Sequence, residues 1–316
     1  MAASPRVTLA GAGRTVMWAA GDALLPFFSM REATALRLVS RECLRAVARH
    51  PWADQATEIR HVAKWRASFP RAKVANMGYR NPPSDSDFVH FDGLRELYMM
   101  FGDVGISDAA FEHLKGIRKL KMECFNVTAI TDAAFEHLKG VHTLNMSRNF
   151  MRTITDAAFE HLKGIHTLDM GFCSQYSITD AAFAPLKGIH TLTMRHCYQS
   201  AITDAAFAHL KGIHTLDMSF CNQVAITDAA FAHLKGIHTL NIRCCDQATI
   251  TDAAFANLKG IHTLDMGHYY VTNITDAAFA HLRGIHTLNM RRCVHDAITG
   301  AAFVHLKGIQ IGRAHV

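Results

Sequence analysis

The sequence predicts an α/β solenoid, in which strand–turn–helix units stack so that a parallel sheet forms the concave side. Three observations support this fold class. A unit of 24 residues recurs at a constant step, without insertion. Apolar and polar residues alternate in one part of each unit, as in a strand with one buried face. Another part has helical spacing and ends in glycine. The units open at Ile106, Ile130, Ile154, Ile178, Ile202, Ile226, Ile250, Ile274 and Ile298.

One unit illustrates the elements. Leu216 and Met218 alternate with polar residues, which predicts a strand. Thr227 or Asp228 can cap the helix that follows, and Gly236 can adopt the left-handed conformation that ends it. A single unit cannot bury its apolar face, whereas a stack of units can. We therefore expect parallel strands about 4.8 Å apart, with the helices outside.

The pattern I-x-x-L-x-M-x-x-C followed by I-T-D resembles the cysteine-containing leucine-rich repeat. The resemblance covers roughly three quarters of the chain. It implies a leucine-rich-repeat horseshoe over residues 67–310, with degenerate strands near Phe69–Val74 and Leu94–Met99 ahead of the regular units. Methionine replaces the usual aliphatic residue in most strands, and we interpret this column as core filling rather than a copper site. The column comprises Met122, Met146, Met170, Met194, Met218, Met266 and Met290.

The chain before the repeats has a different organisation. Residues 1–20 read as a flexible leader, and residues 21–66 as a helical module in which Ser29 and Glu32 form a capping box. With an apolar first helix, a Val39–Arg41 turn and a closing Pro51–Trp52 element, the module resembles an F-box. The resemblance implies docking to a Skp1-like adaptor of a cullin ubiquitin ligase. The contact or core positions would be Leu24, Leu25, Pro26, Phe27, Phe28, Leu36 and Val39.

The alternative for this module is a cap on the open end of the solenoid, which every such stack needs. Exposure of Leu25, Phe27 and Phe28 discriminates between the two hypotheses. A docking surface leaves these side chains outside, whereas a cap buries them.

Composition and charge argue against a membrane-spanning protein and against a solenoid that binds nucleic acid. The chain has 316 residues, 49% of them hydrophobic, and no apolar run near the ~18 residues that a membrane span needs. Up to Asn81 there are 13 Lys and Arg against 5 Asp and Glu, whereas the remainder has 20 against 22. The basic excess therefore belongs to the N-terminal quarter, which argues against a solenoid that grips nucleic acid.

Columns of cysteine and histidine run through the repeats. The cysteines lie in the slot that the resembled family buries, without a C-x-x-C pair, so we favour structural thiols over a metal site. Unpaired thiols fit a cytoplasmic or nuclear protein, whereas a secreted recognition protein is the weaker alternative. Stacked histidines could bind a metal ion, or repel one another when protonated. Repeat duplication that copied a harmless residue is the simpler explanation of the histidine columns. The cysteine column is Cys173, Cys197, Cys221, Cys245 and Cys293.

Variation between repeats concentrates at the outward strand positions and in the turn after each strand. A core position would stay constant, whereas a partner surface can vary, so we predict that a target protein binds there. Drift at exposed positions is the alternative. We also expect acidic and arginine residues to alternate as an ion-pair ladder. The predicted target-binding residues are Asn145, Arg148, Asp169, Phe172, Arg195, His196, Asp217, Phe220, Asn241, Arg243, Asp265, His268, Arg291 and Arg292. Aromatic anchors are expected at Phe172, Tyr198, Phe220, Tyr269 and Tyr270.

No nucleophile–base pair, paired carboxylate or phosphate loop is present in the sequence, so we expect no catalysis, metal or cofactor. The function hypothesis is a substrate receptor of a cullin-type ubiquitin ligase. The alternative is a stand-alone binding scaffold whose N-terminal helices only cap the solenoid.

The last residues, 311–316, match the translation of a common sequencing-adapter stretch. We expect them to be a non-native tail. A genomic clone with these codons directly before a stop codon would contradict this hypothesis.

Overall fold

A computed structural model describes residues 24–78, 82–100, 105–123, 129–149, 152–173, 176–269, 273–293, 297–306 and 310–311. In this part of the chain the N-terminal segment forms a 3-10 turn at Leu25–Phe27 and three helices. These are α1 (Met30–Leu36), α2 (Arg41–Arg49) and α3 (Val62–Ser68). The predicted capping box at the start of α1 is confirmed, since the Ser29 hydroxyl accepts from the Glu32 N–H and the Glu32 carboxylate accepts from the Ser29 N–H.

The described strands form a single parallel sheet of 12 strands in sequence order. From β3 to β11 each strand pairs with the next at the same motif position, as Leu192 with Leu216, whereas β12 is shifted by one residue and pairs Leu288 with Ile311. The sheet begins at Glu58, inside the range that the sequence assigns to the helical module. The strands are β1 (Glu58–Ile59), β2 (Val74–Met77), β3 (Glu96–Met100), β4 (Lys119–Glu123), β5 (Thr143–Asn145), β6 (Thr167–Asp169), β7 (Thr191–Thr193), β8 (Thr215–Asp217), β9 (Thr239–Asn241), β10 (Thr263–Asp265), β11 (Thr287–Asn289) and β12 (Gln310–Ile311).

The repeat helices are only one turn long. The α-helices are α4 (Asp108–Phe111), α5 (Asp132–Glu136), α6 (Asp156–Phe159), α7 (Asp204–Phe207), α8 (Asp228–Phe231), α9 (Asp252–Phe255) and α10 (Asp276–Phe279). The 3-10 segments are Asp85–Phe91, Glu112–Leu114, Glu160–Leu162, Asp180–Leu186, Ala208–Leu210, Ala232–Leu234, Ala256–Leu258, Ala280–Leu282 and Gly300–His305. The Asp180 repeat is 3-10 throughout and contains Pro185, whose missing N–H cannot close an α-helical bond.

The predicted helix ends are found. The Thr227 hydroxyl accepts a hydrogen bond from the Ala229 N–H at 3.1 Å, so threonine is the cap. Gly236 has φ +83°, the left-handed conformation that glycine adopts without a steric penalty.

Asp228, the second candidate cap, has another role that recurs along the stack. Asp204 shows the pattern, since its carboxylate accepts from both the N–H and the hydroxyl of Thr227 in the next repeat, at 2.7 and 2.6 Å. Each aspartate therefore holds the capping threonine of its neighbour. The linked pairs are Asp85–Ser107, Asp108–Thr131, Asp132–Thr155, Asp156–Thr179, Asp180–Thr203, Asp204–Thr227, Asp228–Thr251, Asp252–Thr275 and Asp276–Thr299.

The core is continuous from the helical module into the solenoid. In a middle repeat Phe207, Leu216 and Met218 are fully buried, as expected of the phenylalanine, leucine and methionine columns. At the N-terminal end Trp65 is buried, and its Nε1 lies 3.3 Å from the buried Met30 Sδ. The Trp65 ring centre also lies 6.5 Å from that of Phe91, in the first 3-10 segment of the repeats, and both residues belong to one core cluster. The helical module therefore packs on the start of the solenoid. No helix in the described ranges is long and apolar enough to cross a membrane.

Candidate protein-binding surface

The outward aspartate and asparagine side chains at the strand ends close turns. Asp217 Oδ1 accepts from the Ser219 N–H, two residues on, at 3.0 Å. Such a bond satisfies a backbone donor where the strand stops, and either residue type can make it. Their exchange along the column thus has a structural explanation, separate from target binding. The same bond joins Asn145 to Ser147, Asp169 to Gly171, Asn241 to Arg243, Asp265 to Gly267 and Asn289 to Arg291.

The predicted ion-pair ladder was wrong, because within the described ranges no ion pair joins these aspartates to the arginine column. Burial raises the pKa of Asp169, which the Gly171 N–H and the charge of Arg195 partly oppose. The exposed Arg195 instead extends beside Gly171, with its guanidinium 5.9 Å from the Phe172 ring centre. Arginine here packs on an aromatic ring rather than on a carboxylate.

From Met146 to Met290, the residue two places after the methionine or isoleucine that follows each strand has a left-handed backbone although it is not glycine. Phe172 has φ +59°, and its N–H donates to the Arg195 carbonyl of the next repeat at 2.7 Å. This bond extends the inter-repeat ladder beyond the strand and compensates a conformation that L-residues rarely adopt. Sequence inspection missed it because the column lacks the glycine that usually signals such a turn. The column is Arg148, Phe172, His196, Phe220, Cys244, His268 and Arg292.

Three rings of this column stack on one another. Phe172, His196 and Phe220 are parallel within 17°, with neighbouring ring centres 4.1 Å apart. The Arg148 guanidinium lies 5.3 Å from the ring centre of Phe172, the first ring of the stack. We call Arg148, Phe172, Arg195, His196 and Phe220 the stacked patch. Burial, then the charge of Arg195, lowers the pKa of His196, which favours its neutral imidazole.

The aromatic anchors are only partly where the sequence placed them. Tyr198 is 54% exposed, and its hydroxyl lies 2.8 Å from His196 Nδ1. The prediction for Tyr269 was wrong, because its ring fills the cysteine slot and is fully buried. Tyr270 lies outside the described residues. The exposed aromatic surface therefore adjoins the middle repeats.

The cysteine column is structural. Cys221 is fully buried, and its Sγ donates to the Met194 carbonyl at 3.0 Å. Burial raises its pKa to about 12, so the thiol stays protonated and unreactive. Asn149 makes the equivalent bond to the Met122 carbonyl at 2.8 Å. The described residues contain no group of three or more metal-ligating side chains.

The predicted adaptor-binding residues divide by exposure. Leu25 is buried in the core, whereas Phe27 and Val39 are 83% and 61% exposed. Leu24 and Pro26 are exposed as well, and Phe28 and Leu36 are half-buried against the core. The helical module thus covers the solenoid and still presents apolar side chains. Leu38, which the sequence analysis did not single out, is 88% exposed beside Val39.

The histidines before the strands form a stack. Neighbouring rings are parallel within 12° and have centres 4.4 to 4.6 Å apart. Each Nδ1 lies 3.1 to 3.3 Å from the hydroxyl of the threonine that follows it. We call this set the histidine stack. It comprises His142, His166, His190, His214, His238, His262 and His286.

Acid is expected to destabilise the protein through this stack. Desolvation, then the neighbouring imidazoles, lowers the pKa of His190 and His238. As the pH falls below about 6.5, the unfolded chain therefore takes up protons first, and stability is lost through the folded pKa. We expect a lower melting temperature at pH 5.0 than at pH 7.5, and a smaller drop in His190→Gln/His238→Gln. Replacing His209 and His233, on the helices, should leave the drop unchanged, and an equal effect of both pairs would contradict this prediction.

Comparison with known proteins supports the repeats. A leucine-rich-repeat family model matches residues 115–174, and a BspA-type leucine-rich-repeat region model (6 copies) matches residues 176–310. No curated protein matches the chain. An internalin (InlF) from Listeria monocytogenes has 19% sequence identity and a TM-score of 0.59, over 96% of this chain and 87% of that chain.

Two receptor structures are also similar. The TLR13–ssRNA13 complex has 17% identity and a TM-score of 0.62, over 80% of this chain and 36% of that chain. The Drosophila Toll–Spatzle complex has 14% identity and a TM-score of 0.56, over 79% and 37%. The present chain thus spans little more than a third of either receptor chain. Identities this low show a shared fold alone.

Proposed function

The repeated part of this chain belongs to the leucine-rich repeats, and we propose that the protein is a non-catalytic scaffold that binds a target protein through the stacked patch and the concave strand ends around it. Leucine-rich repeats are generally binding scaffolds. The target itself would be recognised by the side chains that differ from repeat to repeat.

The observation that carries the proposal is the composition of the stacked patch. Aromatic and arginine side chains dominate the energetics of protein interfaces because they bury a large area at little conformational cost. Here Phe172 and Phe220 are held rigid by the ring of His196, so their ordering on binding costs little. Arg148 and Arg195 are exposed beside them. The Asp and Asn side chains of the strand ends would serve mainly to shape the turns.

Photocrosslinking tests this surface. A photoreactive amino acid at Arg195, beside the stack, should crosslink to one discrete protein in cells of the native source. The matched control is the exposed Ala181 on the helical side of the same repeat. Loss of the Arg195 crosslink on Phe172→Ala/Phe220→Ala would assign it to the patch. Equal crosslinking from both positions would contradict a dedicated surface.

We further propose that the helical module docks a Skp1-like adaptor, which would make the scaffold a substrate receptor of a cullin ubiquitin ligase. The observation that favours docking is the exposure of Phe27, Leu38 and Val39. A module that only caps the solenoid would have no reason to keep large apolar side chains in water, whereas a docking surface would. A module that only caps the solenoid remains the alternative.

Co-expression of the full chain with a Skp1-like adaptor tests the docking proposal. Phe27→Glu should reduce adaptor affinity by at least tenfold, because it places a carboxylate in an apolar contact. Tyr176→Glu, at an aromatic residue equally exposed on the solenoid, is the matched control. Leu25 is unsuitable because it is buried. Absence of co-elution on size-exclusion chromatography would favour the stand-alone scaffold.

A further inference from the structure

The histidine stack is the upper part of a longer basic column. The His142 N–H donates to the Arg118 carbonyl at 2.9 Å, the Arg118 N–H to the Arg95 carbonyl at 2.8 Å, and the Arg95 N–H to the Lys73 carbonyl at 2.7 Å. From His166 onward each histidine N–H donates in the same way to the preceding histidine. Every repeat from Lys73 to His286 therefore places a basic side chain at the loop that leads into its strand.

A second cationic row runs parallel to the first. Three residues before each stacked histidine stands an exposed lysine or arginine at the helix C-terminus. In two early repeats glutamate neutralises it, as in the pairs Lys139–Glu136 and Lys163–Glu160. From Ala184 onward alanine occupies the glutamate position, and within the described ranges the later cations have no ion pair. These are Lys187, Lys211, Lys235, Lys259 and Arg283.

The surroundings of the two rows contain little negative charge. The stacked rings contact each other and the threonine hydroxyls, and the His142 backbone pairs with that of Arg118. The lysine row lies three residues earlier in the chain. The helix aspartates of these repeats are bonded to threonines of the next repeat, and the strand-end aspartates close turns. Helical histidines such as His209 and His305 lie beside the lysine row, where Arg283 is 3.4 Å from His305. Within the described ranges no ion pair joins a carboxylate to the lysines or stacked histidines between Lys187 and His286, so these cations remain available to an anionic ligand.

We propose that this edge, from Lys187 to His286, binds a linear phosphate polymer and does so more tightly below pH 6.5. Desolvation and the neighbouring imidazoles lower the pKa of His190 and His238, which favours their neutral form at pH 7. The lysine row supplies about one cation per inter-strand spacing of about 4.8 Å. Protonation of the histidine stack doubles this density, and a bound polyanion relieves the repulsion between the rings. The proposal does not depend on the protein-binding surface, which lies at the opposite end of the strands.

Phosphate suits the two rows better than side-chain carboxylates do. Nδ1 of each stacked ring faces a threonine hydroxyl, so Nε2 is the nitrogen available to a ligand. A phosphate in a polymer has two free oxygens, so it can accept from an imidazolium and from the neighbouring ammonium together. Every unit of a phosphate polymer carries a charge, whereas an extended acidic peptide presents only alternate side chains, about 7 Å apart, to one surface. Because the rings cover one another, bases cannot stack on them, and recognition is limited to the backbone.

Fluorescence anisotropy with the full chain tests the proposal. The probe is a labelled 30-residue oligodeoxythymidine, and long-chain inorganic polyphosphate is the competitor. Binding should be at least about tenfold tighter at pH 5.5 than at pH 7.5, since several weak exposed contacts add up. Affinity should also fall steeply with salt, because phosphate contacts release counterions. Absence of binding to both polymers at pH 5.5 would overturn the proposal, as would equal competition by poly-L-glutamate.

Variants locate the site and its pH dependence. His190→Gln/His214→Gln/His238→Gln should abolish the gain at pH 5.5, whereas lysine at the same positions should give tight binding at both pH values. The matched control is Arg41→Gln/Arg45→Gln/Arg49→Gln, which removes three exposed cations from α2. If this control weakened binding as much as the histidine variant, net charge alone would explain it and the proposed site would be wrong. Melting curves confirm that each variant is folded.

The two probes distinguish the sources of phosphate. Displacement of the oligonucleotide by polyphosphate at equal phosphate concentration supports recognition of phosphate charge alone. Retention of the oligonucleotide supports a nucleic-acid backbone as the ligand. Either result, combined with the histidine variants, supports the edge as the binding site.

Discussion

Phe207→Ala is expected to lower the free energy of unfolding by about 3–5 kcal/mol, the usual cost of removing a fully buried phenylalanine. Phe207 has no exposed surface and lies in a phenylalanine column, between Phe183 and Phe231. The cavity would therefore weaken contacts with both neighbouring repeats. In a solenoid each repeat contacts only its neighbours, so the loss is not spread over a larger core. Equilibrium urea unfolding followed by circular dichroism measures the change.

Phe303→Ala is the matched control, because Phe303 occupies the same motif position but is 42% exposed. The Phe303 side chain buries less apolar area on folding than Phe207 does, so we expect its replacement to lower the free energy of unfolding by only about 1 kcal/mol. Equal costs at the two positions would contradict the view that stacking on both sides, rather than the motif, determines the stability contribution.

Asp204→Ala should cost about 2–3 kcal/mol, because it removes two charge-assisted hydrogen bonds to Thr227. The loss also loosens the cap of α8, since the Thr227 hydroxyl accepts from the Ala229 N–H. Asp204→Asn is the matched variant, since its amide oxygen can still accept from the Thr227 N–H. We expect about half the cost, again measured by urea unfolding. A neutral Asp204→Ala would show that the links between repeats contribute nothing.

The link between Asp276 and Thr299 adds to the acid sensitivity. Hydrogen bonds from the Thr299 hydroxyl and N–H lower the pKa of Asp276 below its usual 3.8. A carboxylate with a lowered pKa stabilises the fold above its unfolded value, and this contribution disappears as the pH falls through the folded value. It therefore acts below pH 4, well under the range in which the histidines titrate. Two separate losses of stability are expected on acidification.

Much of the fold could be predicted from the sequence, because a constant 24-residue period places identical residues beside one another in adjacent strands. The alternation around Leu216 and Met218, the Thr227 cap and the turn at Gly236 all depend on interactions within a few residues. The buried cysteine slot followed from the resemblance to a known repeat. Strand β1 was missed, since two residues carry no periodic signal.

Only the tertiary structure decided what the polar columns do. The sequence offered Asp228 as a possible helix cap, whereas its bonds to Thr251 exist only because the next repeat lies beside it. The left-handed turn at Phe172 is stabilised by a carbonyl of another repeat. Because the turn needs no glycine, the local sequence does not predict it. Likewise the sequence places the histidines in one column and favours simple duplication, whereas the structure shows their rings parallel and 4.4 to 4.6 Å apart. Local residue preferences determined the unit, and contacts across 24 residues determined its surface, because backbone bonds between repeats fix the side-chain spacing.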